Sequence, residues 1–399
     1  MTPRRVAFFT DSFHEVNGVA LTSREYVNFA RRRSIPVFSV HAGPRTGITR
    51  DGSVVTFEFH RGPVRWNLEH DLAVDFLAWR HRARLWEALR NFRPELIHIT
   101  GPGDAGILGA WAAWQFKLPL AASWHTNVHE YANRRLNRTF KLMPKAWREA
   151  AGTAAEATVL ESCVQFYRCA KVLYAPNPEL VEMLRARTGR PVHMMSRGID
   201  TVMYDPAKRE RSDDAFVIGY VGRLSAEKNV RMLAAIETRL RAAGMEDYRF
   251  LVIGEGAERG WLRANLKRAD VPGVLRGEEL ARAYASMDVF VFPSFTDTFG
   301  NVVVEAMASG VPPIVASGGG PKFLFEHETE GLVAEDAGGF AEAILTLYRD
   351  RSRHAEMRRR ARLGAKKRSW DAVFEQVHEA YDDIWAKATR SSAAAPQHA

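Results

Sequence analysis

"FVIGYVGR", Phe216 to Arg223, is the stretch on which the fold turns. It is a short apolar run without polar alternation, closed by a glycine and a cation. Such a run reads as a strand buried on both faces, the kind found in parallel sheets. Three more runs of this kind follow: "YRFLVIGEG" (248–256), "DVFVFPS" (288–294) and "PPIVAS" (312–317), with helical patterns between them. Strands that alternate with helices pair in parallel through crossover connections. The first half of the chain already reads this way. Val6–Thr10, Pro36–His41, Val54–Phe59, Leu96–Thr100, Leu118–Trp124 and Val172–Ala175 are strand-like, and Val19–Arg33 and Leu68–Phe92 have helical patterns. The series therefore runs twice, which implies two α/β domains. The Gly- and Pro-containing stretch "SRGIDTVMYDP" (196–206) marks the join. Residues 1–198 are expected to form the first domain and 199–370 the second. A helix at about 371–388, with Val373, Phe374, Val377, Tyr381 and Trp385, completes the first domain, and 389–399 reads as a disordered tail.

The chain has 399 residues, 46% hydrophobic and 26% charged, which suits a globular protein with sizeable cores. No apolar stretch has the length of a membrane span, and the N-terminus "MTPRRVAFFTDS" reads as a first strand rather than a signal peptide. Cys163 and Cys169, without CxxC spacing, read as free buried thiols in a reducing cytoplasm. The formal charge of +9 is uneven. Residues 1–200 hold 28 Lys/Arg against 18 Asp/Glu, whereas residues 201–399 hold 28 against 29. The basic half suggests an anionic partner, and ordinary solubility explains it equally well. No RNA- or DNA-binding motif accompanies the charge, so nucleic acid is not expected.

Ligands of open parallel sheets bind at the carboxyl ends of the strands, so the strand-end loops carry the chemistry. "GYVGRLSAEKNV" places Arg223 and Lys228 beside a helix start, an arrangement that suits a diphosphate. "TDSFHEVNGVA" puts Gly18 where a helix opens; a close backbone approach to a ligand or plain turn chemistry accounts for it. "GEGAE" (254–258) is a third glycine turn, but neither GxGxxG nor GxxxxGK[ST] occurs. "SWHTNVHEY" sets His125 just past a strand; a lone His is more often structural, and His129 lacks a third ligand of matching spacing. In "SFTDTFGNVVVEAMASG" (294–310), Asp297 and Glu305 stand eight apart. That is a little over two helical turns, so a continuous helix would carry both near one face.

Taken together and in this order, Gly18 in "EVNGV", His125 in "WHTN", Arg223 and Lys228 in "GRLSAEKN", and the acid pair before "AMASGVPPIVAS" resemble the retaining glycosyltransferases of family 4. The resemblance runs from about residue 5 to 388 and implies the GT-B fold, two Rossmann-like parallel-sheet domains facing across a cleft. The acid pair resembles the family's E-x7-E motif with Asp for the first Glu, one methylene shorter. The resemblance implies that Glu305 binds the ribose and Asp297 the donor sugar. It places the backbone N–H groups of Phe299, Gly300, Asn301 and Val302 against sugar and diphosphate. Arg223 and Lys228 hold the diphosphate, Gly18 sits against it, and His125 lies near the reacting sugar. It further implies a metal-independent reaction without cofactor, in which Arg223 and Lys228 replace the cation of metal-dependent transferases. Base contacts are expected around Gly254–Gly256 and Leu275–Gly277.

The acceptor is read from the first domain. "NRRLNRTFKLMPKAWRE" (133–149) interleaves six cations with Leu136, Phe140, Leu142, Met143 and Trp147. It reads either as a face on an anionic membrane or as a helix packed on its own core. "EFHRGPVRWN" (58–67) is a second candidate rim. The resemblance to mannosyltransferases of glycolipid synthesis implies GDP-mannose as donor and a lipid-linked or glycan acceptor, with a UDP-sugar as the alternative. A cytoplasmic enzyme, peripheral on the inner membrane face, is expected. A non-hydrolysing nucleotide-sugar epimerase shares the two-domain architecture and would release an isomer without any acceptor. A non-catalytic sugar-nucleotide or lipopolysaccharide binding module is the third reading, and the intact set Arg223, Lys228, Asp297 and Glu305 argues against it.

Overall fold

The computed structural model describes residues 4–15, 17–62, 65–69, 72–75, 77–125, 145–211 and 213–393. Its contacts divide the chain into two compact units, Met1–Ser196 with Asp371–Ala399, and Arg197–Trp370.

The first unit is built on an eight-stranded sheet. Its strands are β1 (Val6–Phe9), β2 (Val37–Ala42), β3 (Gly47–Asp51), β4 (Val54–Phe59), β7 (Leu96–Ile99), β8 (Leu120–Ser123), β9 (Val172–Ala175) and β10 (Val192–Met194), and a separate hairpin joins β5 (Arg65–Glu69) to β6 (Leu72–Asp75). The order is β10-β9-β8-β7-β1-β2-β4-β3, parallel throughout except that β3 runs antiparallel to β4. The β3–β4 turn is Gly52-Ser53, with Gly52 at φ 57°. A two-residue turn that opens on glycine is a local hairpin signal. The central strands are fully buried, as their unalternated sequence requires. Helices α1 (Gly18–Arg32), α2 (Arg82–Phe92), α3 (Asp104–Gln115), α4 (Lys145–Tyr167) and α5 (Pro178–Thr188) accompany them. The long helix expected over 68–92 is shorter and starts later. The hairpin and a 3-10 turn at Ala78–His81 occupy its first part. Asp75 is the local cause: its carboxylate accepts the N–H groups of Gly62 and Leu77 and pairs with Arg80, offering the backbone an alternative to helical bonds.

The second unit holds β11 (Phe216–Val221), β12 (Tyr248–Ile253), β13 (Ala269–Gly273), β14 (Val289–Phe292), β15 (Pro313–Ala316) and β16 (Leu332–Ala334). They form one parallel sheet in the order β13-β12-β11-β14-β15-β16. Its helices are α6 (Met232–Ala242), α7 (Arg259–Asn265), α8 (Gly277–Ala285), α9 (Asn301–Ala308), α10 (Ala337–Arg349) and α11 (Arg351–Lys366). The last helix, α12 (Trp370–Ala393), returns to the first unit. There Phe374 meets Tyr26 and Phe29 at ring distances of 5.3 and 5.5 Å, and Tyr174 donates to the Val377 carbonyl. Residues 389–393 are helical rather than part of a disordered tail, because a helix already nucleated by packing adds residues at little cost. Residues 394–399 lie outside the described residues. Cys163 is buried, but Cys169 falls after the end of α4 and is exposed, which corrects the expectation of two buried thiols.

Candidate active site

In the second sheet β11 lies between β12 and β14, and the chain leaves it toward opposite edges. This is the topological switch point, where a crevice opens at the carboxyl ends of the strands. Two loops end there: Gly222–Asn229 after β11 and Pro293–Gly300 after β14. Asn229, left-handed at φ 53°, ties them by donating to the Pro293 carbonyl at 3.3 Å.

Across these loops Lys228 Nζ meets Asp297 Oδ1 at 2.6 Å. Burial opposes the charge on Asp297, yet the Lys228 ammonium and the Arg223 guanidinium hold its carboxyl below the ordinary range. Arg223 lies 3.5 Å from the Glu227 carboxylate, and its carbonyl accepts from Tyr220 Oη at 3.0 Å. The sequence thus put two cations and a carboxylate at one point, 69 residues apart in the chain.

The glycines of "GEGAE" permit a close passage of two loops. A Cβ on Gly254 would stand 1.9 Å from the Gly222 carbonyl oxygen, and one on Gly256 2.2 Å from that of Leu224. These glycines let the loop after β12 pass against the Arg223 loop, and Leu224 N–H donates to the Glu255 carbonyl.

Helix α9 starts only at Asn301, so Asp297 and Glu305 do not share a helix face. Asp297 belongs to the preceding loop, and its carbonyl accepts from Gly320 N–H at 2.7 Å. Gly300, at φ 90°, turns the chain into the helix, and no side chain caps the helix start. The N–H groups of Asn301 and Val302 lie in the first turn, where the helix itself offers them no carbonyl. Phe299 is buried in the core. Glu305 sits on the second turn and accepts from Tyr284 Oη at 2.8 Å. Burial pushes its carboxyl up to about 7, only partly offset by that hydrogen bond. Glu305 is bonded to Tyr284, whereas Asp297 is bonded to Lys228.

Sequence reasoning missed Arg197, in the stretch taken as a simple join. Its guanidinium is buried, donates from Nη1 to Asn301 Oδ1 at 3.1 Å and lies over the Phe299 ring at 5.4 Å. Burial lowers its pKa to about 10 against the pull of Asp297. Tyr284, the partner of Glu305, was missed as well. No local signal marks either residue, because Arg197 meets a side chain 104 positions away.

Gly18 and His125 belong to the first unit, each at the carboxyl end of a strand. Gly18 is the first residue of α1, and Asn17 caps that helix by accepting from Ala20 N–H at 2.9 Å. His125 is buried two residues past β8. His129 lies outside the described residues, as does the 133–149 stretch apart from the start of α4. In the other candidate rim, Arg61 is committed to Asp104 at 2.7 Å and is not available to an anionic surface.

The sequence profile of Glycosyltransferase Family 4 matches residues 16–202, and that of Glycosyl transferases group 1 matches residues 215–350. A GDP-mannose-dependent alpha-mannosyltransferase of Corynebacterium glutamicum is 30% identical over 97% of this chain and 91% of its own length. A protein of the same description from Mycolicibacterium smegmatis is 30% identical over 95% of this chain and 97% of its own length. Among solved structures, the sucrose-phosphate synthase of Thermosynechococcus elongatus superposes with a TM-score of 0.72 at 20% identity, covering 96% of this chain and all of that one. WaaG, a glycosyltransferase of lipopolysaccharide biosynthesis, gives 0.64 at 13% identity over 94% of this chain and 98% of its own. At these identities the structural likeness speaks for the fold alone.

Proposed function

The chain belongs to the family 4, group 1 glycosyltransferases and has the GT-B fold, and from that premise we propose that it transfers mannose from GDP-mannose, with retention and without a catalytic metal, to a lipid-linked or glycan acceptor. The observation that carries this reading is the Lys228–Asp297 pair at the uncapped start of α9, with Arg223 beside it. Fixed cations and helix N–H groups stabilise a departing diphosphate without reorganising at the moment of reaction. The C1–O bond to the β-phosphate breaks and its electron pair leaves with the diphosphate. The acceptor hydroxyl oxygen bonds to C1 on the same face and gives its proton to the leaving phosphate oxygen. Glu305 holds the ribose, Asp297 the donor sugar once Lys228 turns to phosphate, and Gly18 and His125 act from the first unit. GDP-mannose is favoured over a UDP-sugar because the relatives named above carry that donor in their description.

The acceptor side is assigned to an anionic bilayer. On α3, Ile107, Trp111 and Trp114 recur at helical spacing, and Ile107 and Trp114 are 52% and 75% exposed. Trp79 is 51% exposed, and Arg82 lies over the rings of both Trp79 and Trp111. Exposed indoles interleaved with guanidinium suit the headgroup region of a membrane. Among the described residues no helix is long and apolar enough to cross one. The exposed indoles and Arg82 support a peripheral attachment to such a surface. The test is incubation with a panel of nucleotide sugars and membrane lipid extract in the presence of chelator. Release of GDP with a new mannolipid is expected. An isomerised sugar nucleotide formed without acceptor would point to an epimerase, and activity lost to chelator and restored by a divalent cation would sink metal independence.

A further inference from the structure

Away from the donor loops, three side chains from three segments of the first unit converge. His14 lies in the loop between β1 and α1, His41 near the end of β2, and Glu58 near the end of β4. His14 Nε2 is 3.0 Å and His41 Nε2 3.3 Å from the same oxygen, Glu58 Oε1, and the three atoms lie within 4.8 Å of one another. Metal–nitrogen and metal–oxygen bonds of about 2.0–2.1 Å in a tetrahedron leave adjacent ligand atoms about 3.3 Å apart. The two measured edges therefore already have the spacing of a coordination shell.

We propose that His14, His41 and Glu58 bind a divalent cation of the zinc class, with the fourth position open toward solvent. Two imidazoles and a carboxylate form a donor set suited to zinc, and three protein ligands with one open position is its usual exchangeable arrangement. His41 is 1% exposed, whereas the His14 side chain is 50% exposed, so the open side lies at His14. The second shell is in place. Ser39 Oγ is 3.3 Å from His41 Nδ1; accepting that N–H leaves the Nε2 lone pair for the ion. The Phe13 ring stacks on His41 at 3.8 Å and 10°, fixing the imidazole plane. Gly43 makes room for the carboxylate, since a Cβ there would lie 2.8 Å from Glu58 Oε2. None of the three ligands is a donor-site residue.

The test is a cobalt(II) titration of chelator-treated full-length protein, read by visible absorption, with zinc as competitor. One saturating equivalent is expected, with intense bands of low-coordinate cobalt that zinc abolishes. His14→Ala and Glu58→Gln should each weaken binding by more than the roughly 10- to 100-fold that outer-shell losses alone produce. The chain has 13 histidines, so the variants are needed to locate the ion. His14 is half exposed and its loss should leave folding intact, which circular dichroism checks. Absence of a saturable equivalent in the wild type overturns the site, as does a folded His14→Ala protein that binds cobalt as tightly. Either result would leave a hydrogen-bonded His–Glu–His cluster. The titration uses no donor or acceptor, so its failure is independent of the transferase reading.

Discussion

At the scale of single residues, Asp297 carries the opposite consequence for GDP binding to Lys228 and Glu305. In the proposed function Lys228 exchanges its Asp297 partner for phosphate. Lys228→Ala removes a charge-assisted contact of about 1.5–3 kcal/mol and should weaken nucleoside diphosphate binding roughly 10- to 150-fold. Unchanged affinity by calorimetry would remove Lys228 from the site. Asp297→Asn frees Lys228 from its ion pair, so GDP affinity should hold or rise while turnover falls, because its sugar partner is absent from GDP. Glu305→Gln should weaken GDP and the sugar nucleotide alike, since both carry the ribose. Equal loss of GDP binding in the two variants would refute this division of labour. Glu305 also gives a pH prediction. Its carboxyl rises to about 7 from the ordinary value of 4.5, so the folded chain holds more protons than the unfolded one between these values. Its contribution to stability is full below the lower value and falls as pH rises through the upper one. Glu305→Gln removes that loss, so its melting temperature relative to wild type should be higher at pH 8 than at pH 5. A difference independent of pH would show that Glu305 is not held protonated by burial.

At the scale of elements, the donor loops depend on glycines of a neighbouring turn. Gly256, at φ 155°, has no room for a Cβ against the Leu224 carbonyl. Gly256→Ala should push the Arg223 loop out of place, lowering both melting temperature and diphosphate affinity. Gly260 in α7 has nothing within 4 Å of such a Cβ. Gly260→Ala should leave binding unchanged and stabilise by about 0.5–1 kcal/mol through lost chain entropy. If thermal melts and GDP titrations show the two variants alike, the close passage of the two loops has no energetic weight.

Across the whole molecule, the last helix supplies part of the core of the first unit. Phe374, Val377 and Tyr381 of α12 are buried in it, and Tyr381 Oη is bonded to the buried His98 Nδ1. Phe374→Ala should destabilise that unit by about 3–5 kcal/mol, the usual cost of emptying a buried aromatic site. Truncation after Trp370 should expose residues 1–196 to limited proteolysis while residues 197–370 resist. Equal resistance of both halves would show that α12 is dispensable to the core.

The inner strands of both sheets were legible in the chain because each buried parallel strand must be an unbroken apolar run, whereas the edge strands β10, β13 and β16, short or partly exposed, were not read. The helix returning at 371–388 was legible for a related reason, since its apolar periodicity lies within one segment. The β3–β4 hairpin had a local signal as well, in Gly52-Ser53, but the short exposed strand before it lacks apolar character. What only the tertiary structure decided is pairing. Whether Asp297 meets a cation, a helix or nothing depends on which loop lies across the crevice, and Lys228 is there because β11 and β14 are neighbours in the sheet. Arg197 against Asn301, Tyr284 against Glu305, and the two imidazoles on Glu58 are likewise contacts between distant segments. Hydrogen bonds and ion pairs act over about 3 Å, and periodicity along a chain cannot say which remote side chain the packing of strands will bring within that distance.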